Sequence, residues 1–262
     1  MNSHTFVVCA YKESPYLQDC LASLINQNMD SIIICTTSTP NDHVTSICNK
    51  FGVEVCVNSE RKGLAADWNF AYNQAKTDYV TIAHQDDIYD PNFLKETMSY
   101  IYKSKKPLIA FTDYYEIRNS KKVMSNRLLR IKRILNFPWL FRLTWSSRFI
   151  ARRIFTFGNP ICCPSVTFAK DNIIISPVFN ESYKNSCDWY AWLAIRDLRG
   201  DFIYCPQKLM GHRIHANSET TATIASNVRS KEELQILRML MPKFMAKVIH
   251  YFYRRGQKSN KS

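Results

Sequence analysis

The chain has few glycines, six in 262 residues, and none in AYKESPY, the stretch that follows its first apolar run. A glycine-rich phosphate-cradling loop after the first strand is thereby excluded. Long hydrophobic runs are absent too, and no apolar stretch reaches the roughly 18 residues of a membrane span. MNSHTFVVCAYKE has no basic leading region and its apolar run is too short for a signal peptide, so a cytoplasmic protein is expected. The nine cysteines stand singly or as the adjacent Cys162 and Cys163, with no CxxC pair, which predicts reduced thiols rather than a disulfide framework. Neither an internal repeat nor a low-complexity segment interrupts the chain.

What is present is enough for a core: 46% of the residues are hydrophobic, and the length allows one large α/β domain or two small ones. The net charge is +13, and it is clustered. From Arg127 to Arg153 there are eight basic residues and no acidic one, interleaved with Phe137, Trp139, Phe141, Trp145 and Phe149. The C-terminal KFMAKVIHYFYRRGQKSNKS repeats this composition. Basic charge mixed with large aromatics suits an anionic membrane surface or single-stranded nucleic acid. Long apolar side chains such as Leu128, Leu129, Ile131, Ile134 and Leu135, with Trp at the margins, suit an interfacial helix better than a base-stacking platform. The expected partner is therefore an anionic membrane surface, with no nucleic acid, although a solvated helix covering the core would show the same composition.

Along the chain, TFVVCAY, SIIIC, VEVCVN and YVTIA read as buried strands, separated by SPYLQDCLASLINQ, HVTSICNKFG and LAADWNFAYNQAK as helices. Strands alternating with helices predict a parallel, doubly wound α/β sheet, whose ligands bind outside the carboxyl ends of the strands. AYKE, CTTST, NSERKG and HQDD would line that rim. LIAFTDYYEI is a further strand, the basic aromatic segment an insertion, FGNPICCPSVTFAK β-like, CDWYAWLAIRDLRG a helix and DFIYCP a strand running into a polar loop, HRIHANSETT. Ser230 with Glu233 reads as a capping box for a last helix kinked at Pro242.

The stretch AHQDDIYDP ends the fourth strand. Asp90 before Pro91 reads as an N-cap and first helical position. Asp86 beside Asp87, with His84 just upstream, needs another explanation: adjacent like charges raise each other's pKa unless a cation or strong donors sit between them. A divalent metal is the obvious candidate.

Five segments in order, FVVCAYKESPYLQDCLASLINQ, RKGLAADWNFAYNQA, VTIAHQDDIYDP, CDWYAWLAI and HRIHANS, resemble family 2 glycosyltransferases of the GT-A fold, from about residue 4 to about residue 222. The resemblance implies a nucleotide-diphosphate sugar donor, UDP-linked by preference, held against the strand rim, and inversion at its anomeric carbon. It implies that Asp86 and Asp87 form the acidic metal motif, although the family's usual form carries another Asp where this chain has His84. Mg²⁺ or Mn²⁺ is typically held by one or two protein carboxylates, with substrate phosphates and water completing the shell. Asp188 matches the catalytic base; the Glu usually before it is Cys187 here, helix capping is its alternative role, and Glu181 is the reserve. His215 matches a histidine that lies near metal and diphosphate in relatives, with His212 and His84 as competitors. Arg213 is a candidate phosphate contact, since a guanidinium suits phosphate geometry; Tyr11 matches an aromatic that packs on the nucleobase in the family, with Lys12 and Glu13 in the same loop, and Gly63, Asp67 and Asn69 match the donor-side helix. Relatives end the second strand with an acidic pair where this chain has Cys35 and Thr36, which leaves the nucleotide open.

The resulting expectation is a metal-dependent inverting transferase acting on a saccharide acceptor, lipid-linked, in surface-polysaccharide assembly of the bacterial type, peripheral on the cytoplasmic face of the inner membrane. It divides residues 1–225 into a nucleotide-sugar half (1–115), a basic helical insertion (116–157) and an acceptor half (158–225), followed by an amphipathic helix and basic tail (226–262). Two rivals stand beside it. A sugar nucleotidyltransferase would carry the glycine-rich loop that AYKESPY lacks, and a non-catalytic membrane- or RNA-binding module would leave Asp86, Asp87 and Asp188 unexplained.

Overall fold

The computed structural model describes residues 4–60, 62–215 and 228–258. Nine strands form one sheet in the order β3-β2-β1-β4-β8-β6-β9-β5, with β7 paired to β6. The first half is built from β1 (His4–Ala10), β2 (Ile32–Thr37), β3 (Glu54–Val57) and β4 (Tyr79–His84), all mutually parallel. Between them run α1 (Leu17–Ile25), α2 (Asp42–Lys50) and α3 (Leu64–Gln74). Sheet and helices bury each other: Phe6, Val7 and Val8 on β1 have no solvent exposure, and α1 turns Leu17, Cys20, Leu21 and Leu24 inward. α2 ends as expected at Gly52, whose φ of 64° lies in the left-handed region. Because β2 and β4 flank β1 on opposite sides, the connections diverge there, and the carboxyl ends of β1 and β4 are where a doubly wound sheet holds its ligand crevice.

The second half adds β5 (Ile88–Tyr89), α4 (Phe93–Ile101), β6 (Pro107–Arg118), β7 (Lys121–Val123), β8 (Val166–Ala169), α7 (Cys187–Arg196) and β9 (Asp201–Ile214). β8 lies antiparallel between β4 and β6, and β9 runs parallel to β6. The basic insertion contributes α5 (Arg127–Asn136), two short 3-10 turns and α6 (Arg148–Thr156). The chain closes with α8 (Val228–Leu240) and α9 (Lys243–Lys258). α8 buries Ile236, Leu237 and Leu240 in the same apolar cluster as the sheet.

Five expectations are corrected here. α4 begins at Phe93, not Pro91: Asp90 accepts the backbone N–H of Asn92 at 2.9 Å in a local turn, so it precedes the helix instead of capping it. β9 does not stop at Pro206. Its register with β6 jumps from Thr112–Cys205 to Asp113–Lys208, so Pro206 and Gln207 sit in an irregularity that asks no ladder bond of the proline. His212, Arg213 and Ile214 therefore belong to a strand, with His215 just past it, while the expected polar loop from Ala216 onward lies outside the described residues. Ser230 lies inside α8 rather than at its N-cap, and Glu233 faces Arg229 at 2.9 Å. Pro242 separates α8 from α9 rather than kinking one helix. In the insertion, Trp139 and Trp145 are core residues at 0% and 4% exposure, not marginal interfacial ones.

Candidate functional site

The rim at the carboxyl ends of β1 and β4 is tied together by its own polar residues. Gln85 holds the backbone of Tyr11 from both sides, accepting its N–H at 3.1 Å and donating to its carbonyl at 2.9 Å. Lys12, next in the chain, takes a positive φ of 57°. The Tyr11 ring is left 48% exposed beside the crevice, and Glu13 is exposed on the same loop. Ser14 then donates its hydroxyl to Asp86 Oδ1 at 2.7 Å.

The two adjacent carboxylates are treated differently by the fold. Asp87 is 1% exposed and its Oδ1 accepts from His212 Nδ1 and from the Arg213 backbone N–H, each at 3.0 Å. Burial alone would raise the pKa of Asp87, but His212, His84 and the Arg213 N–H outweigh it and hold the carboxyl below its usual range. For His212 burial opposes the charge, and the facing Asp87 carboxylate prevails, raising its pKa. Asp87 Oδ2 has no hydrogen-bond partner among the described residues and lies 3.9 Å from His84 Nδ1. Asp86, by contrast, is 22% exposed and faces His215 Nε2 at 3.1 Å. The strand extension of β9 brings both histidines here, because Gly211 pairs with Ile88 just past the acidic pair.

Other expected residues fall in and around this frame. His84 stacks on Trp68 with centroids 5.2 Å apart, and burial lowers its pKa despite Asp87 nearby. Arg213 is a strut as placed: its Nε donates to the Asp86 carbonyl at 2.9 Å and its guanidinium covers the Tyr16 ring at 4.2 Å. Asp67 receives Ser38 Oγ at 2.8 Å and Asn58 Nδ2 at 2.9 Å, joining α3 to the ends of β2 and β3. Gly63 precedes α3 with φ 119°, a conformation that strains any residue with a Cβ. Two residues are not at the rim surface. Thr36 is buried with its hydroxyl toward the Val8 carbonyl, and Asn69 pairs with the backbone of Phe179 through both its amide groups, at 2.8 and 2.9 Å.

Asp188 stands in the first turn of α7. Its carboxylate accepts Asn159 Nδ2 at 2.7 Å and the Trp189 N–H at 2.6 Å, yet burial prevails and raises its pKa. Burial raises the pKa of the Cys162 thiol, with Asp87 and Asp188 adding to the rise and Lys132 opposing it. Glu232 of α8 accepts the consecutive backbone N–H groups of Lys184, Asn185 and Ser186 at 2.7, 3.0 and 2.9 Å, just before α7. Ser14, Gln85, Asn159 and Glu232 escaped the reading of the sequence. Each acts through a partner more than 25 positions away, and no local pattern marks them.

The donor set suits a hard divalent cation: the exposed Asp86 carboxylate and the unshared Asp87 Oδ2 are oxygen ligands. Among the described residues no group of three or more His, Cys, Asp or Glu side chains forms a complete metal cage. A site of this kind needs ligands from the substrate.

The sequence model of "Glycosyl transferase family 2" matches residues 5–170, well over half of the chain. The protein is a family 2 glycosyltransferase. No curated protein sequence matches it. Among solved structures, S. aureus TarS 1-349 superposes with a TM-score of 0.63 at 15% identity, covering 95% of this chain and 69% of that one. The mannosyltransferase PcManGT from Pyrobaculum calidifontis, solved with GDP-Man and Mn²⁺, gives 0.63 at 13% identity, over 89% and 62% of the two chains. Glucosyl-3-phosphoglycerate synthase from Mycobacterium tuberculosis, solved with UDP, gives 0.56 at 13%, over 91% and 80%. At these identities the likeness is one of fold, and the GT-A architecture of this transferase agrees with it.

Proposed function

We propose that this glycosyltransferase moves a sugar from a nucleotide-diphosphate sugar, UDP-linked by preference, to a lipid-linked saccharide with inversion at the anomeric carbon, in bacterial surface-polysaccharide assembly. The observations that carry the reading are Asp86, 22% exposed just past the end of β4, and Asp188, half-buried in the first turn of α7 with its pKa raised by desolvation. Tyr11, Glu13, Gly63 and Asp67 line or frame the donor side, and the neighbours solved with UDP, UDP-GlcNAc and GDP-Man support a nucleotide-sugar in that crevice. Asp86 would hold Mg²⁺ or Mn²⁺, with Asp87 Oδ2 and His215 beside it. When bound, the cation neutralises charge developing on the departing diphosphate.

The chain's own residues account for the rest. Asp87, locked by His212 and Arg213, keeps the Asp86 backbone in place, and Ser14 orients its carboxylate. Asp188 accepts the proton of the acceptor hydroxyl as that oxygen bonds to the anomeric carbon and the carbon–oxygen bond to the diphosphate breaks, its electron pair leaving with the diphosphate. Its raised pKa makes it a stronger base than an ordinary surface aspartate. Asn159 fixes its orientation.

The outer faces of the insertion and of α9 support a membrane-bound acceptor. Ile134, Phe149 and Leu143 are 71%, 71% and 96% exposed among the insertion's arginines, and Phe244 on α9 is 77% exposed near Lys243 and Lys247. Apolar side chains interleaved with cations match the interfacial zone of an anionic leaflet. Among the described residues no helix is long and apolar enough to cross a membrane.

The experiment is thermal stabilisation by UDP, GDP, dTDP and CMP, each with and without Mn²⁺; a ligand at 100 times its Kd adds about 2.7 kcal/mol. A metal-dependent shift for one diphosphate, lost in Asp86→Ala, is expected. No shift with any nucleotide would refute the reading.

A further inference from the structure

α9 turns one stripe toward the rest of the protein. Ala246, His250 and Tyr253 are spaced i, i+4 and i+7 and so share one face of the helix. Ala246 and His250 are buried, and His250 Nε2 lies 3.3 Å from Ser230 Oγ on α8. Phe244, Val248 and Phe252 are exposed.

Tyr253 ends the buried stripe between two chain segments that flank the Asp188 carboxylate. Its ring centroid is 5.7 Å from that of Trp189, the residue after Asp188. The Trp189 N–H is one of the two donors to that carboxylate, at 2.6 Å. Trp189 Nε1 has no hydrogen-bond partner among the described residues, so packing holds the indole. On its other side the Tyr253 ring lies against Gly158, the residue before Asn159, whose Nδ2 is the second donor at 2.7 Å. Gly158 lets the ring in. Its φ of 141° strains any residue with a Cβ, and a Cβ built there would stand 2.6 Å from Tyr253 Cε2.

Asn159 and Asp188 are 29 positions apart, and Tyr253 touches the chain neighbour of each. The Asn159 amide oxygen accepts the Ile161 N–H at 3.2 Å, a bond within its own turn that sets which end of the amide meets Asp188 but not where the turn sits. A rigid ring packed between the two segments does that, since an aromatic side chain brings a large contact area in a specific geometry.

We propose that Tyr253 is a positioning residue for the transfer: its ring, wedged between Gly158 and Trp189, holds the Asn159–Asp188 hydrogen bond closed and with it the orientation of the Asp188 carboxylate. The inference rests on the reading of Asp188 as the base. It gives the C-terminal helix a part in the chemistry through its buried face.

The test uses the full chain as wild type, Tyr253→Phe, Tyr253→Leu, Asn159→Ala and Asp188→Asn, with far-UV circular dichroism confirming that each is folded. Tyr253→Met takes the place of Tyr253→Leu if that variant does not fold. In ¹⁵N-labelled protein the Asn159 side-chain amide, identified by its loss in Asn159→Ala, should shift with pH as Asp188 titrates, and should cease to do so in Asp188→Asn. Tyr253→Leu should cut that shift to less than about half, and Tyr253→Phe, which keeps the ring, should retain it. Turnover is read as UDP released from UDP-GlcNAc, UDP-glucose and UDP-galactose with Mn²⁺, water serving as acceptor. The water oxygen bonds to the anomeric carbon, its proton passes to Asp188, and UDP leaves with the electron pair of the broken bond. Tyr253→Leu should lower kcat about tenfold to a hundredfold, the cost of a misplaced catalytic group, with UDP affinity within about twofold, and Tyr253→Phe should restore kcat to within about threefold. An amide that ignores pH in wild type, or responds as fully in Tyr253→Leu, overturns the proposal. So does wild-type kcat in Tyr253→Leu, or an equal loss in Tyr253→Phe. Wild-type turnover in Asp188→Asn would instead refute the base, and release from none of the donors would count against the nucleotide-sugar reading; in both cases the amide shift still decides whether Tyr253 holds the pair.

Discussion

Glu232 is the residue whose removal tests most directly how the C-terminal helices serve the cleft. It is 8% exposed, and its carboxylate takes three consecutive backbone N–H groups from the turn that starts α7. Glu232→Ala leaves all three without their acceptor. Hydrogen bonds to a charged group contribute about 1.5–3 kcal/mol each. Lys184 is exposed and water can replace its bond, so the loss is carried by Asn185 and Ser186, the latter 4% exposed. Two bonds at the lower end amount to about 3 kcal/mol. For a chain of this size that is a fall in Tm of roughly 6–12 °C. Glu232→Gln keeps one carbonyl acceptor and should lose about half as much. Urea unfolding gives the free energies, and kcat at saturating donor reports the second effect: Asp188 sits two residues past Ser186, so kcat should fall while UDP affinity holds. A Glu232→Ala protein within about 0.5 kcal/mol of wild type, the range of an ordinary surface substitution, would refute the reasoning.

Asp188→Asn should lower kcat by about 10² to 10⁴, the usual contribution of a general base, without lowering Tm. Burial raises the Asp188 pKa, so its ionised form subtracts from stability once pH exceeds the unfolded value of about 3.8, and a neutral amide removes that penalty. Near wild-type turnover would send the search for the base elsewhere, Glu181 first. In metal-free protein the His212–Asp87 pair should make stability fall as pH rises above 6.5: the raised His212 pKa contributes fully below that unfolded value and is lost through its folded one. The depressed Asp87 contribution is present above about 3.8 and is lost only in more acid solution. Asp87→Asn should flatten this profile in unfolding measured with EDTA, and an unchanged profile would discount the pair. Replacing Arg127, Arg130 and Arg148 with Gln should weaken partition onto anionic vesicles about a hundredfold, at about 1 kcal/mol per cation. Equal partition would sink the membrane reading.

The α/β alternation of the first half was legible because burial on both faces of a parallel strand leaves contiguous apolar runs such as TFVV and SIII, and those runs are local. The rim was legible for the same reason: a strand's carboxyl end is a position in sequence. Where the reading failed, a nonlocal partner had overridden a local signal. Pro206 looked like a strand end until β6 continued alongside and absorbed it in an irregularity, and the tryptophans of the insertion looked interfacial until Phe111 and Phe202 supplied ring partners for Trp139 at 5.4 and 5.8 Å. Ser230 and Glu233 fit a capping box by spacing alone, but Arg229 claims Glu233.

The sequence by itself determined the strand rim, the acidic pair at the end of β4, the aspartate at the start of α7 and the clustering of positive charge, because each is a matter of residue type within one element. Tertiary structure alone decided how those groups differ. It buried Asp87 behind His212, left Asp86 part-exposed and raised the Asp188 pKa by desolvation. Those distinctions depend on distance and dielectric between segments far apart in the chain, and such quantities exist only once the sheet, the insertion and the C-terminal helices have packed together.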